Sequence, residues 1–333
     1  MSRELARKVA DAVLYEGYML YPYRPSALKN QQRWTFGILY PPAYHEVSRG
    51  TERSRMHTEC LLRADGEASV RIEFRFLQLR SRQIFQRIDN RFEPVPSLIV
   101  DGKLIESWDE AVERSVEIEL LVGMSPERFD FCFDEKHDTS DLTGAGKEAL
   151  GRIVQNQEDV RGNISVRFVQ IRGGLSKLTI DLTNESHLTA NVSDRGKALL
   201  RSLLSAHFIL EVEGGEFVSL LDPPADCHEA VQGCVNVGNV PVLLGEEGKH
   251  DFLLCSPITL YDYPKIAPES AGDFFDATEM DEMLTLRVIT LTDQEKKEAS
   301  MTDERVRRLL ERTEQTAHEQ LMRTHGTIRD LRQ

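Results

Sequence analysis

Long apolar runs, paired cysteine knuckles and an excess of positive charge are all missing from this chain of 333 residues. No apolar run approaches the roughly 20 residues that a helix needs to cross a bilayer, so membrane insertion by a helix is excluded. The opening MSRELARKVADAV spreads its charges evenly instead of placing a basic region before an apolar block. It reads as neither a secretory signal nor an anchor, and a cytoplasmic location is expected. Only five cysteines occur, Cys60, Cys132, Cys227, Cys234 and Cys255. Their odd number and wide spacing argue against a disulfide scaffold and for a reducing compartment. Basic residues number 41 against 55 acidic ones, a formal charge of −14. Such a surface repels phosphate backbones and anionic lipids, which excludes nucleic acid as a partner and favours a basic or neutral protein. Also absent are a glycine-rich phosphate loop, an HExxH helix and a GxSxG elbow. None of the nine histidines, among them His45, His57, His187, His207 and His228, stands beside a recognisable nucleophile.

What the chain does have is alternation. In Val70-Arg71-Ile72-Glu73-Phe74-Arg75-Phe76 every second residue is apolar and those between are charged, the signature of a sheet with one buried face. The period recurs at Val116, Ile118 and Leu120, at Phe129, Phe131 and Phe133, at Ile164, Val166 and Phe168, and at Leu178, Ile180 and Leu182. Gly173-Gly174 lies between the last two runs, where a tight hairpin belongs, and Gly214-Gly215 suggests a second hairpin joining Phe208, Leu210 and Val212 to Phe217. Short helices are predicted over 3–14, about 107–114, and within 192–204, where Asp194 or Ser193 supplies a cap. Thr292-Asp293-Gln294-Glu295 has capping-box spacing, and apolar residues at helical spacing follow, predicting a helix within 293–323. The fold class expected is α+β: strand-rich, mainly antiparallel layered sheets with short peripheral helices and a C-terminal helix. The polar stretch 136–148 marks a boundary between a first sheet region (1–140) and a second (141–292), which still read as one continuous domain if their strands share a sheet. Residues 293–333 form a helical tail.

Three segments could carry function. Residues 15–44 hold six of the eight tyrosines, together with Trp34 and Phe36. Tyr18, Tyr21, Tyr23 and Trp34 offer rigid contact area, and Arg24, Lys29 and Arg33 offer donors for an acidic group, so this segment reads either as packing or as a partner-binding surface. Cys227, His228 and Cys234, with Cys255 as a fourth ligand, are a candidate zinc or nickel set. They lack CxxC knuckles, so an ordinary loop is the simpler reading and no cofactor is expected. Between 262 and 282 the carboxylates of Glu269, Asp273, Asp276 and Glu279 stand close in sequence. They read as a solvated acidic surface, as a docking face, or as the acid–base groups of a hydrolase.

Two stretches, YEGYMLYPYRPSALKNQQRWTFGILYP (15–41) and SPITLYDYPKIAPESAGDFFDATEMDEMLTLRVITLTDQEK (256–296), resemble an uncharacterised bacterial family associated with nickel–iron hydrogenase gene clusters. The resemblance covers about a fifth of the chain. It implies a role in hydrogenase assembly, maturation or support, with a hydrogenase subunit or maturation factor as partner, and it assigns no catalytic residue. The leading expectation is therefore a non-catalytic accessory or interaction protein. The alternatives are a carboxylate-based hydrolase of unfamiliar type and a nickel- or zinc-handling accessory.

Overall fold

The computed structural model describes residues 2–15, 37–89, 91–124, 126–144, 148–188 and 192–264. Its spine is β1, one strand running from Arg55 to Ile88. Five strands, all antiparallel, divide the two flanks of β1 between them. On one flank β10 (Leu175–Asn184) pairs with residues 55–63, β5 (Trp108–Leu121) with 69–82 and β2 (Arg91–Val95) with 84–88. On the other, β11 (Leu204–Val218) pairs with 61–77 and β8 (Ala149–Gln157) with 80–86. The sheet continues through β9 (Val160–Arg172) and β6 (Glu127–Phe133) beyond β10, through β13 (Phe252–Ser256) and β12 (Val240–Leu244) beyond β11, and through β7 (Lys136–Thr143) beyond β8. A separate hairpin of β3 (Ser97–Val100) and β4 (Lys103–Glu106) completes the strands of the described residues.

Alternation decides which face is buried. Val70, Ile72, Phe74 and Phe76 point inward from β1 and are fully buried, joined by Ile118 and Leu120, Phe131, Ile164 and Val166, Leu178 to Leu182 and Phe208 to Val212 of the neighbouring strands. In a flat sheet β6 would lie three strand spacings from β1, about 14 Å. Yet the rings of Phe74 and Phe131 are 5.6 Å apart, and those of Phe74 and Phe208 are 5.3 Å apart. The sheet therefore curls into a half-barrel whose interior is filled by side chains.

Short helices cover the outer face. In α1 (Ser2–Tyr15) Ala6, Val9, Ala10 and Val13 recur at helical spacing and pack on Ile209, Val242, Leu244, Phe252 and Leu254. Asp194 caps α3 (Arg195–Leu199) by accepting hydrogen bonds from the backbone N–H groups of Gly196 and Lys197. A 3-10 turn (Ala225–Cys227) and α4 (His228–Gln232) lie over Leu61, Leu175 and Val218. The last described helix is α2 (Pro42–Val47), with proline in its first turn.

Strand-rich, antiparallel architecture with peripheral helices is what the alternating runs imply, and Gly173-Gly174 does turn the β9–β10 hairpin. Three local expectations need correction. Residues 107–114 are not helical but open β5, because Trp108, Glu110, Val112 and Arg114 sit opposite Arg82, Arg80, Gln78 and Phe76 of β1. Pairing with a long neighbour overrides a helix-compatible composition. The second hairpin does not exist: β11 runs unbroken through Gly214-Gly215. The glycines instead face an excursion of β1, whose residues 65–68 have Gly214 alone opposite them. Finally, within the polar stretch 136–148, residues 136–143 are strand β7, so one hydrogen-bonded sheet crosses residue 140. The capping box at 292–295 and the helix expected within 293–323 lie outside the described residues.

Gly214 has φ +76°, and a Cβ there would fall 2.7 Å from the Glu67 carbonyl oxygen. Gly214→Ala should therefore cost about 1–3 kcal/mol of stability. Gly173 has open space at its Cβ position, and its replacement by alanine should stay within about 0.5 kcal/mol of the parent. Urea unfolding of the two variants side by side measures the contrast, and equal losses would refute the assignment of a strained crossing at Gly214.

Candidate functional site

The aromatic set Tyr18, Tyr21, Tyr23, Arg24, Lys29, Arg33 and Trp34 and the carboxylates Glu269, Asp273, Asp276 and Glu279 lie outside the described residues. The cysteine set is described, and the sheet separates it. Cys227 is buried against Leu61 and Val218 on the outer side, with Arg63 Nη2 3.0 Å from its Sγ. Cys234 packs against the same cluster, its thiol 3.5 Å from the Ala230 carbonyl oxygen. His228 is exposed at the start of α4. Cys255, opposite Phe208 in β13, belongs to the interior core. Among the described residues no three His, Cys, Asp or Glu side chains converge as a metal-ligand group.

Two polar groupings and one apolar corner stand out instead. The first polar grouping is centred on Glu59, buried on the outer face of β1. Its carboxylate accepts from Lys177 Nζ at 2.9 Å and from the Val235 backbone N–H at 2.8 Å. The Asn236 side chain completes the join by bonding both the N–H and the carbonyl of Glu59. His57 stands beside it, with Nδ1 2.6 Å from Asp181 Oδ1 and Nε2 3.8 Å from Glu59. Burial works to raise the Glu59 carboxyl, but the hydrogen bonds from Lys177 and Val235 outweigh it and hold the group below its ordinary range. Nearby Cys234 is pushed up to about 11, chiefly by burial and then by the Glu59 charge. The arrangement therefore fastens the 233–239 segment to the sheet through a carboxylate that is ionised at neutral pH, and keeps the adjacent sulfur protonated there.

The second polar grouping continues the inner face of β1 past the phenylalanines. Here Gln78, Arg80 and Arg82 replace apolar residues, with Glu110 and Arg114 of β5 and Gln155 and Gln157 of β8 alongside. Arg80 donates twice to Glu110 Oε2, at 3.0 and 2.6 Å, Gln155 donates to the same oxygen at 2.8 Å, and Arg82 reaches Oε1 at 3.3 Å. Arg114 donates to Gln78 Oε1 at 2.8 Å and lies over the Phe133 ring at 4.8 Å. Beyond the layer the face turns apolar again at Ile84, and the β3–β4 hairpin presses Leu98 onto Gly151, where a Cβ would fall 2.3 Å from Leu98 Cδ2. The signal for this layer in the sequence is a change of phase. Apolar residues occupy even positions through Phe76 and odd positions at Leu77 and Leu79, which pack under α1 and α3.

The apolar corner is where β9 outruns its neighbour. β6 pairs with β9 only up to Val166, and among the described residues no strand pairs with 167–172 on that side. Val169 and Ile171 are exposed there.

The chain matches no protein-family model and no curated protein.

Two measurements check these placements. The charged form of Glu59 favours the folded state, so its contribution is complete above the unfolded carboxyl value of about 4.3 and fades as pH falls through the lower folded value. Glu59→Gln should lower stability by about 1–3 kcal/mol at pH 7, and the difference from the parent should shrink at pH 3; an undiminished gap there would contradict the linkage. Among the five cysteines only Cys132 is exposed, so brief alkylation at pH 7.5 followed by peptide mass spectrometry should label Cys132 first. Early labelling of Cys60 or Cys255 would contradict the interior assignment.

Proposed function

We propose that this chain is a non-catalytic accessory protein that holds another protein, and that the partner docks as an extended segment along the open edge of β9. The observation that carries the reading is that edge itself. Residues 167–172 lack a strand partner on the side away from β10 among the described residues, and the exposed side chains of Val169 and Ile171 lie along them. Unpaired backbone donors and acceptors beside apolar side chains are what an added strand uses for affinity and for register. With a formal charge of −14 the chain suits a partner that is basic or neutral overall.

Three titratable groups lend further support. Glu59 is held ionised, Cys234 is pushed up to about 11, and buried His207 is pushed down to about 3 by burial and by Arg75. Each is displaced from the neutral range in which acid–base or nucleophilic groups work best. The setting, assembly or maturation of a nickel–iron hydrogenase, rests on the resemblance of residues 15–41 and 256–296 and makes a hydrogenase subunit or maturation factor the partner to look for.

Native purification with mass spectrometry of co-purifying proteins tests both levels. The parent should bring down one stoichiometric partner, and Val169→Asp with Ile171→Asp should lose it at an unchanged melting temperature. A parent recovered alone, or a double variant that retains the partner, would overturn the proposal. A stoichiometric partner unrelated to hydrogenases would remove the setting and leave the docking mode.

A further inference from the structure

The arginine layer on the inner face is not used by the edge just described, and its charge does not balance. On this face of β1 and β5 three guanidinium groups, Arg80, Arg82 and Arg114, meet a single carboxylate, Glu110. Glu110 is already saturated by Arg80, Arg82 and Gln155. The nearest acid on the outer strand of this face, Asp138, is tied to Lys136 at 2.9 Å. Arg114 has no carboxylate among the described residues; its only polar tie is the neutral amide of Gln78, whose own Nε2 is committed to the Glu158 carbonyl oxygen at 2.7 Å. Arg82 Nε is buried without an acceptor. The side chains of Arg80, Arg82 and Glu110 are only 18–28% exposed, so water screens them incompletely. Burial and then the charge of Arg80 press on Arg114, lowering its affinity for its proton. The cations of this layer therefore repel one another.

Two like charges in excess, on planar forks held from two strands with one of them over the Phe133 ring, complement an oxyanion carrying two negative charges. We propose that the layer is a binding site for a small dianion, a phosphate or a dicarboxylate, seated between Arg80 and Arg114 with Arg82 completing the positive field. The chain's overall negative charge would slow entry of such an anion. The arginines overcome that at short range, where guanidinium–oxyanion hydrogen bonds take over from the long-range field.

Calorimetric titration of the full chain with inorganic phosphate and, separately, with succinate, each at ionic strength matched by sodium chloride, decides the matter. At least one of the two should bind saturably with a stoichiometry near one per chain. Arg114→Gln should weaken that binding by about tenfold or more, the scale of a lost charge-assisted hydrogen bond, whereas Arg114→Lys should recover part of it. Arg82→Gln, which leaves the Gln78 tie intact, should also weaken it and serves if Arg114→Gln does not fold. Binding of phosphate alone identifies a phosphoryl group as the ligand's recognised part, and binding of succinate alone identifies a carboxylate. No saturable binding of either dianion, or parental affinity in both Arg114→Gln and Arg82→Gln, would overturn the proposal. Because Val169 and Ile171 are untouched, loss of the dianion leaves partner capture as it was, and the two proposals fail separately.

Discussion

Everything in this molecule is hung on one strand whose two faces and two flanks are put to different uses along its length. A strand of 34 residues cannot be buried on one face by one core. β1 solves the problem by exchanging partners, from β10 to β5 to β2 along one flank and from β11 to β8 along the other. It also exchanges the face that is buried. Through Phe76 the apolar side chains point into the half-barrel; at Leu77 and Leu79 they point out, beneath Leu14, Tyr40 and α3. Since successive side chains alternate strictly, the face that loses its apolar residues must take polar ones. Gln78, Arg80 and Arg82 occupy the inner face opposite that second core, with β5 and β8 paired along the two flanks.

The energetics follow the same division. The outer face between α1 and α3 is laced with ion pairs, Arg3 and Arg71 with Glu211, and Asp11 with Arg75. Most of these have at least one half-exposed partner, and such pairs contribute about 0–1 kcal/mol each. The phenylalanine cluster of Phe74, Phe76, Phe131, Phe133 and Phe208 removes far more apolar area from water and sets the curl of the sheet. Glu59 belongs to neither class. Its carboxylate is buried and fully bonded, and it holds a loop, not a core.

How much of this could be read in the sequence depends on whether the signal was local. Period-two alternation located β5, β6, β9 and β10 because one-sided burial writes itself directly into neighbouring residues. The cap at Asp194 was legible for the same reason. Failures came where a distant strand decided the outcome. Gly214-Gly215 looks like a turn until β1 is known to bulge past it, and residues 107–114 look helical until Arg80 and Arg82 are set opposite them. The candidate sites were hardest to see. Glu59, Lys177 and Asn236 are each more than fifty residues from the next, and Arg80 and Arg114 are joined only by the register of two strands. The cysteine set shows how sequence distance and space part company: alternation in β13 turns Cys255 inward, while Cys227 and Cys234 pack on the outer side.

The way this sheet treats its edges gives the interaction reading its physical footing. An exposed strand edge invites pairing with other chains, and folded proteins ordinarily close it or charge it. Here the β12 edge is closed by the chain's own return, with Asp262 accepting from the Leu243 N–H and Tyr263 donating to the Leu243 carbonyl. The flank of β1 at 57–59 is closed by Asn236, Val237 and Asn239, which take the place of a partner strand. β7 and β6, the terminal strands on their sides, are guarded by charge, through Lys136, Asp138 and Asp141 on one and Arg128 and Asp130 on the other. Between residues 169 and 171 of β9 neither device is present among the described residues: the side chains are Val169, Gln170 and Ile171, and all three are exposed. A chain that closes or charges the edges just named and leaves this stretch apolar, between Arg167 and Arg172, has placed pairable backbone beside exposed hydrophobic side chains. That coincidence is what an added strand from another protein requires.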